Sequence, residues 1–171
     1  LISQFSANKV AEVEDAGDNV DLLAAMGLKV AAVSDSKVIK KMKDMMGDSS
    51  HNFSKVYEVT NDATQRQFDD CLKSAKNKKT ELFFHGSRNQ NWWFILQKGL
   101  LIRPSNAVHT GSMFGDGVYF ANKARKSIGY TSLRGSYWAS GGDNKAYLAV
   151  YEVHVGNQKH IKHHTHDCYS L

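Results

Sequence analysis

Three short segments of this 171-residue chain hold residue types that can do chemistry together. The first is Phe83-Phe84-His85-Gly86-Ser87. Here an imidazole, a residue without a Cβ and a hydroxyl follow one another at the end of an apolar run. Glycine lets a ligand approach the main chain closely. Ser87 stands where a helix is expected to start, and free N–H groups there favour an anion. The second segment is Gly111-Ser-Met-Phe-Gly115-Asp-Gly117-Val-Tyr119-Phe-Ala121, a glycine-rich loop running into a short apolar stretch. It is not a P-loop, because no Lys-Ser/Thr pair follows the glycines. The third is Lys126-Ser127-Ile128-Gly129-Tyr130. On a helix, Ser127 and Tyr130 would share a face and point a hydroxyl and a ring into one space. Each segment also has a purely structural reading: a histidine at a strand end, a turn, and a helix face against the core.

These residues must be positioned by the elements around them. The pattern DNVDLLAAMG predicts a short helix capped by Asp18 and stopped by Gly27. A second helix, SDSKVIKKMKDMMG, is capped by Ser34 or Asp35. Its Val38, Ile39, Met42, Met45 and Met46 lie on one packing face. Phe53–Val59 alternates as a strand. Asn61 or Asp62 caps a helix over ATQRQFDDCLKSAK, whose face holds Phe68, Cys71, Leu72 and Ala75, so Cys71 is expected buried. Leu82–Phe84 reads as a buried strand, NWWFILQKG as a helix stopped by Gly99, and Leu100–Arg103 as extended ahead of Pro104. GVYFA reads as a strand, KARKSIGY as a helix, and Ala146–Val155 as a central strand. In the second part of the chain strands outnumber the helices, which are short, and this predicts an α+β fold: a split, mostly antiparallel sheet with short flanking helices. Residues 1–48 read as a short helical extension and 49–171 as the domain proper.

The conjunction of segments is more specific than any one of them. His85-Gly86, then Gly117-Val-Tyr119-Phe-Ala121, then Ser127-x-x-Tyr130 resembles the poly(ADP-ribose) polymerase-type ADP-ribosyltransferase catalytic domain. This is the diphtheria-toxin-like clade named for a His-Tyr-Glu set. The likeness runs from His51-Asn-Phe through residues 83–100, 103–121 and 126–132 to the histidine-rich stretch before Cys168. It implies the ADP-ribosyltransferase fold. It also implies transfer of ADP-ribose from NAD+, a substrate rather than a resident cofactor, to a macromolecular acceptor, protein above all and the chain itself included.

The resemblance also implies roles. The Gly86 backbone and the Ser127 hydroxyl would hold the nicotinamide carboxamide, and Tyr130 would stack on the nicotinamide ring. Tyr119 would flank that ring and its ribose, and His85 would bind the adenosine ribose. Ser87 and Asn91 would sit near the adenosine half, with Arg103 as a nearby cation. His85 and Tyr119 are the two candidate catalytic residues. The residue types suit the ligand: a planar cationic ring is held by aromatic faces, and an amide by directional donors and acceptors.

The chain departs from the family pattern at the third catalytic position. After Tyr130 it has three carboxylates, Asp143, Glu152 and Asp167, and none stands in a strand matching the glutamate motif. The sequence stops at Leu171, ahead of where that strand is expected, so a truncation before the glutamate is one expectation. A catalytically impaired NAD or ADP-ribose binding module, or a nucleic-acid-binding module, is the alternative.

Composition bounds the rest. Apolar residues make up 42% and charged residues 23%, near globular averages. The formal charge is +5, with the positive excess in residues 51–171, which suits an anionic ligand or nucleic acid. Two cysteines cannot build a disulfide framework, so an intracellular setting, cytoplasmic or nuclear, is expected. The longest apolar stretch, Leu22–Val33, is interrupted by Gly27 and Lys29 and is far short of the ~20 residues that span a bilayer. The start LISQFSANK lacks a signal-peptide pattern and an initiator Met. His160, His163, His164, His166, Asp167 and Cys168 have metal-binding chemistry but match no closed zinc spacing, so no metal is expected. Trp92 and Trp93 are expected to pack rather than stack on bases.

Overall fold

A computed structural model of the chain describes residues 21–102 and 114–163. Among the described residues the first helix is short: Asp21 caps α1 (Leu22–Ala25), its carboxylate accepting from the Leu23 and Ala24 amides at 2.9 and 3.3 Å, while the expected cap Asp18 lies outside the described residues. Gly27, at φ +72°, turns the chain into β1 (Leu28–Ala32). The sequence led us to expect only helix in this region, so β1 is a correction. It forms by pairing with β2 (Tyr57–Asn61) in antiparallel register, Leu28 opposite Asn61 and Ala32 opposite Tyr57. A partner so distant in sequence leaves no local signal.

The next helix is as its pattern predicts. Asp35 caps α2 (Ser36–Met46) through the Lys37 amide at 2.8 Å, and Gly47 at φ +53° ends it. Ile39, Met42, Met45 and Met46 are half-buried, while Val38 stands exposed at the edge of the stripe. A 3₁₀ turn (Gly47–Asn52) leads on to β2, which begins at Tyr57 rather than Phe53.

Asn61 ends β2 and starts the third helix. Its side-chain oxygen caps α3 (Asp62–Ser74) through the Ala63 and Thr64 amides. Its Nδ2 donates to the carbonyls of Leu96 and Gln97, each at 3.1 Å. One residue thus caps a helix and ties the first sheet to the next helix along. On α3, Phe68, Leu72 and Ala75 are half-buried, but Cys71 is exposed, contrary to expectation. It lies at the rim of the apolar stripe, its Sγ 3.8 Å from His154 Nδ1.

The second sheet pairs β3 (Thr80–Gly86) antiparallel with β4 (Leu148–His154), Thr80 opposite His154 and Gly86 opposite Leu148. The other edge of β3 meets one residue of the expected GVYFA strand. Phe84 and Ala121 exchange both backbone hydrogen bonds, at 2.8 and 2.9 Å. Between β3 and that edge come a 3₁₀ turn (Asn89–Asn91) and α4 (Trp92–Lys98), ended by Gly99 at φ +80°. The last helix among the described residues, α5 (Ala124–Ile128), lies against β3. Among the described residues the buried apolar set is Leu28, Phe84, Trp92, Ala121 and Ala124; four of these five cluster at β3 or its immediate neighbours. The result is an α+β fold with a split antiparallel sheet and short flanking helices.

Candidate active site

Phe84 anchors the site because its large side chain is almost wholly withdrawn from solvent, at 2% exposure. The next residue therefore has to face the other way, since side chains alternate along a strand. That residue is His85. Its ring meets Phe120, Trp92 and Tyr151 edge-on, with centroids 5.8, 6.2 and 6.3 Å away. Burial among these rings pushes the His85 pKa below its ordinary 6.5, against the smaller opposing effect of its bond to the Tyr119 carbonyl. Burial likewise pushes the Tyr151 phenol up to about 12. His85 is therefore neutral at pH 7. Nδ1 lies 2.9 Å from the Tyr119 carbonyl oxygen and must carry the proton to donate to it. Nε2 is then left as an acceptor, which fixes the tautomer.

Gly86 follows at the strand end. A Cβ there would overlap the Ser127 carbonyl oxygen and crowd Thr131. Absence of a side chain thus serves first to let α5 close onto β3. Ser127 is buried, and its hydroxyl donates to the Phe84 carbonyl at 3.1 Å, keeping its own oxygen as an acceptor. The expected helix through Tyr130 stops at Ile128. Ser127 and Tyr130 are linked instead by a turn, the Tyr130 amide donating to the Ser127 carbonyl at 3.1 Å. Tyr130 stacks on Trp138, with centroids 6.1 Å apart and planes 17° from parallel.

Tyr119 closes the glycine-rich loop on itself. Its hydroxyl donates to the Gly115 carbonyl at 2.6 Å and accepts from the Phe114 amide at 3.1 Å. Ser87 accepts from Asn91 Nδ2 at 2.9 Å. Asn89 pins the 132–145 loop to this end of the strand: its amide donates to Ser132 Oγ, and its Nδ2 to Asp143 Oδ2 and the Lys145 carbonyl, all at 2.9 Å.

His85, Gly86, Ser87, Asn91, Tyr119, Ser127 and Tyr130 thus gather around the C-terminal end of β3. Arg103 lies outside the described residues, as do His164, His166, Asp167 and Cys168 of the histidine-rich stretch. His160 and His163 are exposed, and no group of three metal-ligating side chains occurs among the described residues. Trp92 packs beside His85, while Trp93 is 42% exposed. Sequence reasoning missed the cage around His85 and the ring beside Tyr130. Tyr151 was recoverable from the alternation of β4, where it falls opposite Phe83. The placing of Trp138 depends on the fold of its loop and had no local signal.

Comparison with known proteins gives this geometry its family. The profile described as "PARP: Poly(ADP-ribose) polymerase catalytic domain" matches residues 34–170, about four fifths of the chain. The chain belongs to the poly(ADP-ribose) polymerase catalytic-domain family. It is 40% identical over 105 residues to a protein of Invertebrate iridescent virus 6 described as "Putative poly [ADP-ribose] polymerase-like 100L", covering 61% of this chain and 53% of that protein. It is 38% identical over 101 residues to "Poly [ADP-ribose] polymerase 2" of Homo sapiens, covering 59% of this chain and 15% of that one. Against "Poly [ADP-ribose] polymerase 1" of Gallus gallus it is 29% identical over 137 residues, covering 77% and 13%. The chain therefore spans about half the length of the viral relative and a small part of the two vertebrate ones. The fold of this family member is the ADP-ribosyltransferase fold, built here on two small antiparallel sheets.

Proposed function

We propose that this chain binds NAD+ around the C-terminal end of β3 and transfers its ADP-ribose to a macromolecular acceptor, protein in the first instance, with release of nicotinamide. The observation that carries this reading is His85, its Nδ1 2.9 Å from the Tyr119 carbonyl oxygen, within one residue of the Gly86–Ser127 contact. We assign the activity to residues 49–171, with residues 1–48 as an appended segment bound to them through β1 and β2, and place it inside the cell.

In the proposed reaction the C–N glycosidic bond breaks, and nicotinamide leaves with the bonding pair as a neutral amide. The oxocarbenium-like ribose is then attacked at C1′ by the acceptor, whose proton passes to water. The chain's task is to hold and orient. The Ser127 hydroxyl, whose O–H already donates to the Phe84 carbonyl, accepts from the carboxamide N–H through its oxygen, while the Gly86 backbone completes its recognition. Tyr130 offers its face to the nicotinamide ring, and Tyr119 flanks the ribose. His85 Nε2 accepts from a ribose hydroxyl of the adenosine half. Ser87 and Asn91, bonded to each other, stand near that half; the family resemblance gives the part of the cation to Arg103, which lies outside the described residues.

A second reading, an NAD or ADP-ribose binding module with little chemistry, has its own observation. The carboxylates after Tyr130 among the described residues are tied elsewhere. Asp143 Oδ2 accepts from Asn89 at 2.9 Å, and Glu152 Oε1 from the Thr80 hydroxyl at 2.6 Å. Glu152 also lies opposite Leu82, hence on the face of the sheet away from His85.

Nicotinamide release from NAD+, measured together with attachment of ADP-ribose to protein, separates the readings. Transferase action predicts both products, and their loss by roughly 100-fold or more in His85→Ala and Tyr119→Ala, the scale expected when a positioning group is removed. NAD+ binding without nicotinamide release supports the module. Full activity in His85→Ala contradicts the assigned site.

A further inference from the structure

Two of the largest side chains left in solvent stand on the loop beside the donor site. Tyr137 is 78% exposed and Trp138 55% exposed. Side chains of this size left open to water on a rigid support mark a contact surface. The support here is rigid. The Trp138 and Ala139 amides both donate to the Gly129 carbonyl, at 2.9 and 3.0 Å. The loop is closed further along by the Leu133–Asp143 bridge and by Ser136 Oγ, which donates to the Thr131 carbonyl and accepts from the Gly141 amide. Tyr137 meets Trp138 edge-on, with centroids 4.7 Å apart and planes at 89°, so the two rings form a right-angled corner.

Cations face the same space. Lys123, Arg125, Lys126, Gly129, Tyr137 and Trp138 line one open pocket of about 350 Å³. Among the described residues, no carboxylate pairs with any of the three cations. Residues 122–145 carry Lys123, Arg125, Lys126, Arg134 and Lys145 against Asp143, a net charge of +4.

From this corner and its cations we propose that the surface formed by α5 and the 134–139 loop binds single-stranded nucleic acid. An unpaired base stacks on Trp138 with Tyr137 against its edge, and the flanking phosphates lie on Lys123, Arg125 and Lys126. Stacking on exposed rings is open to a base only when it is free of a duplex, and it tolerates any sequence because every base has a π-face. The cations supply the backbone attraction, which weakens as salt rises. This surface adjoins Tyr130 but needs none of the donor-site roles, so it stands or falls apart from them.

The test is titration of a fluorescein-labelled oligo(dT) of about 12 nucleotides, within the span one such surface covers, by the full chain without NAD+. It is run at several salt concentrations, with tryptophan emission followed in parallel. Binding with quenching of tryptophan emission is expected. Tyr137→Ala should weaken it about tenfold, an effect of the size that loss of one stacking ring gives. Trp138→Leu should do the same and remove the quench. Lys123→Gln with Arg125→Gln should lower the slope of log affinity against log salt by about 1.4, or about 0.7 per phosphate contact. Tyr137 is so exposed that its removal cannot unfold the chain, which keeps the test open if Trp138→Leu misfolds. Three results overturn the proposal: no binding at low salt, equal affinity for a duplex of the same length, or Tyr137→Ala binding as tightly as the unaltered chain.

Discussion

Two antiparallel strand pairs, similar in plan, do different work in this molecule. In β1–β2, only Leu28 is buried, and most side chains face water. Its cross-links are polar: the exposed Lys29–Asp62 ion pair at 2.9 Å, and the bonds from Asn61 to the Leu96 and Gln97 carbonyls. In β3–β4, no residue of β3 is exposed, and only Glu152 of β4 is. One face carries Phe83, His85 and Tyr151 against Phe120; the other carries Phe84 against Ala121 and α5. The proposed chemistry falls on the second pair, where a group that must keep one tautomer and one orientation has the packed neighbours it needs. The first pair can be held at its end by one asparagine and stay wet.

Substitutions sharpen this contrast. The largest effect belongs to Phe84→Ala, which empties the best-buried position of the site sheet. Large-to-small changes of this kind cost about 3–5 kcal/mol. At about 2–4 °C per kcal/mol for a chain of this size, thermal unfolding should move down by about 10 °C. Gly86→Ala comes next. The new Cβ has to push the Ser127 carbonyl away, an overpacking cost of about 1–3 kcal/mol. Its mark is disproportion: NAD+ affinity should fall by more than the loss of stability explains, because Ser127 and Tyr130 move with α5. Smallest is Lys29→Ala on the first pair. An exposed ion pair contributes about 0–1 kcal/mol, so the unfolding midpoint should shift by no more than about 4 °C with NAD+ binding unchanged. Equal losses from Phe84→Ala and Lys29→Ala, read by thermal unfolding, would erase the distinction between the pairs.

Local patterns were legible where local physics decides. Asp35 and Gly47 bracket α2, and Asn61 caps α3, as their residue types dictate. The order of His85, Tyr119, Ser127 and Tyr130 pointed to the family; their placing about the end of β3 came from the fold. What the sequence hid is nonlocal. β1 exists because β2 pairs with it, and Cys71 is exposed because the neighbouring elements leave the rim of α3 uncovered. The chain also reads as helical up to Tyr130, but Gly129 ends α5 early and a turn delivers the ring instead. The Tyr130–Trp138 stack joins a turn to a loop eight residues on, and no periodicity reports such a meeting.

His85 is the residue on which the proposed chemistry turns, and its imidazole nitrogens can be read directly by ¹⁵N nuclear magnetic resonance during pH and NAD+ titrations. Burial lowers its pKa in the folded chain below 6.5, so below that pH the unfolded chain binds more protons than the folded one. Stability should therefore fall as pH drops below about 6.5, and NAD+ affinity only further down, as pH passes through the lowered range in which the folded imidazole takes its proton. At pH 7 the spectrum should report a neutral ring protonated at Nδ1, with the Nε2 resonance moving on addition of NAD+. A ring protonated at Nε2, or an Nε2 resonance that NAD+ leaves in place, would contradict the role assigned to His85.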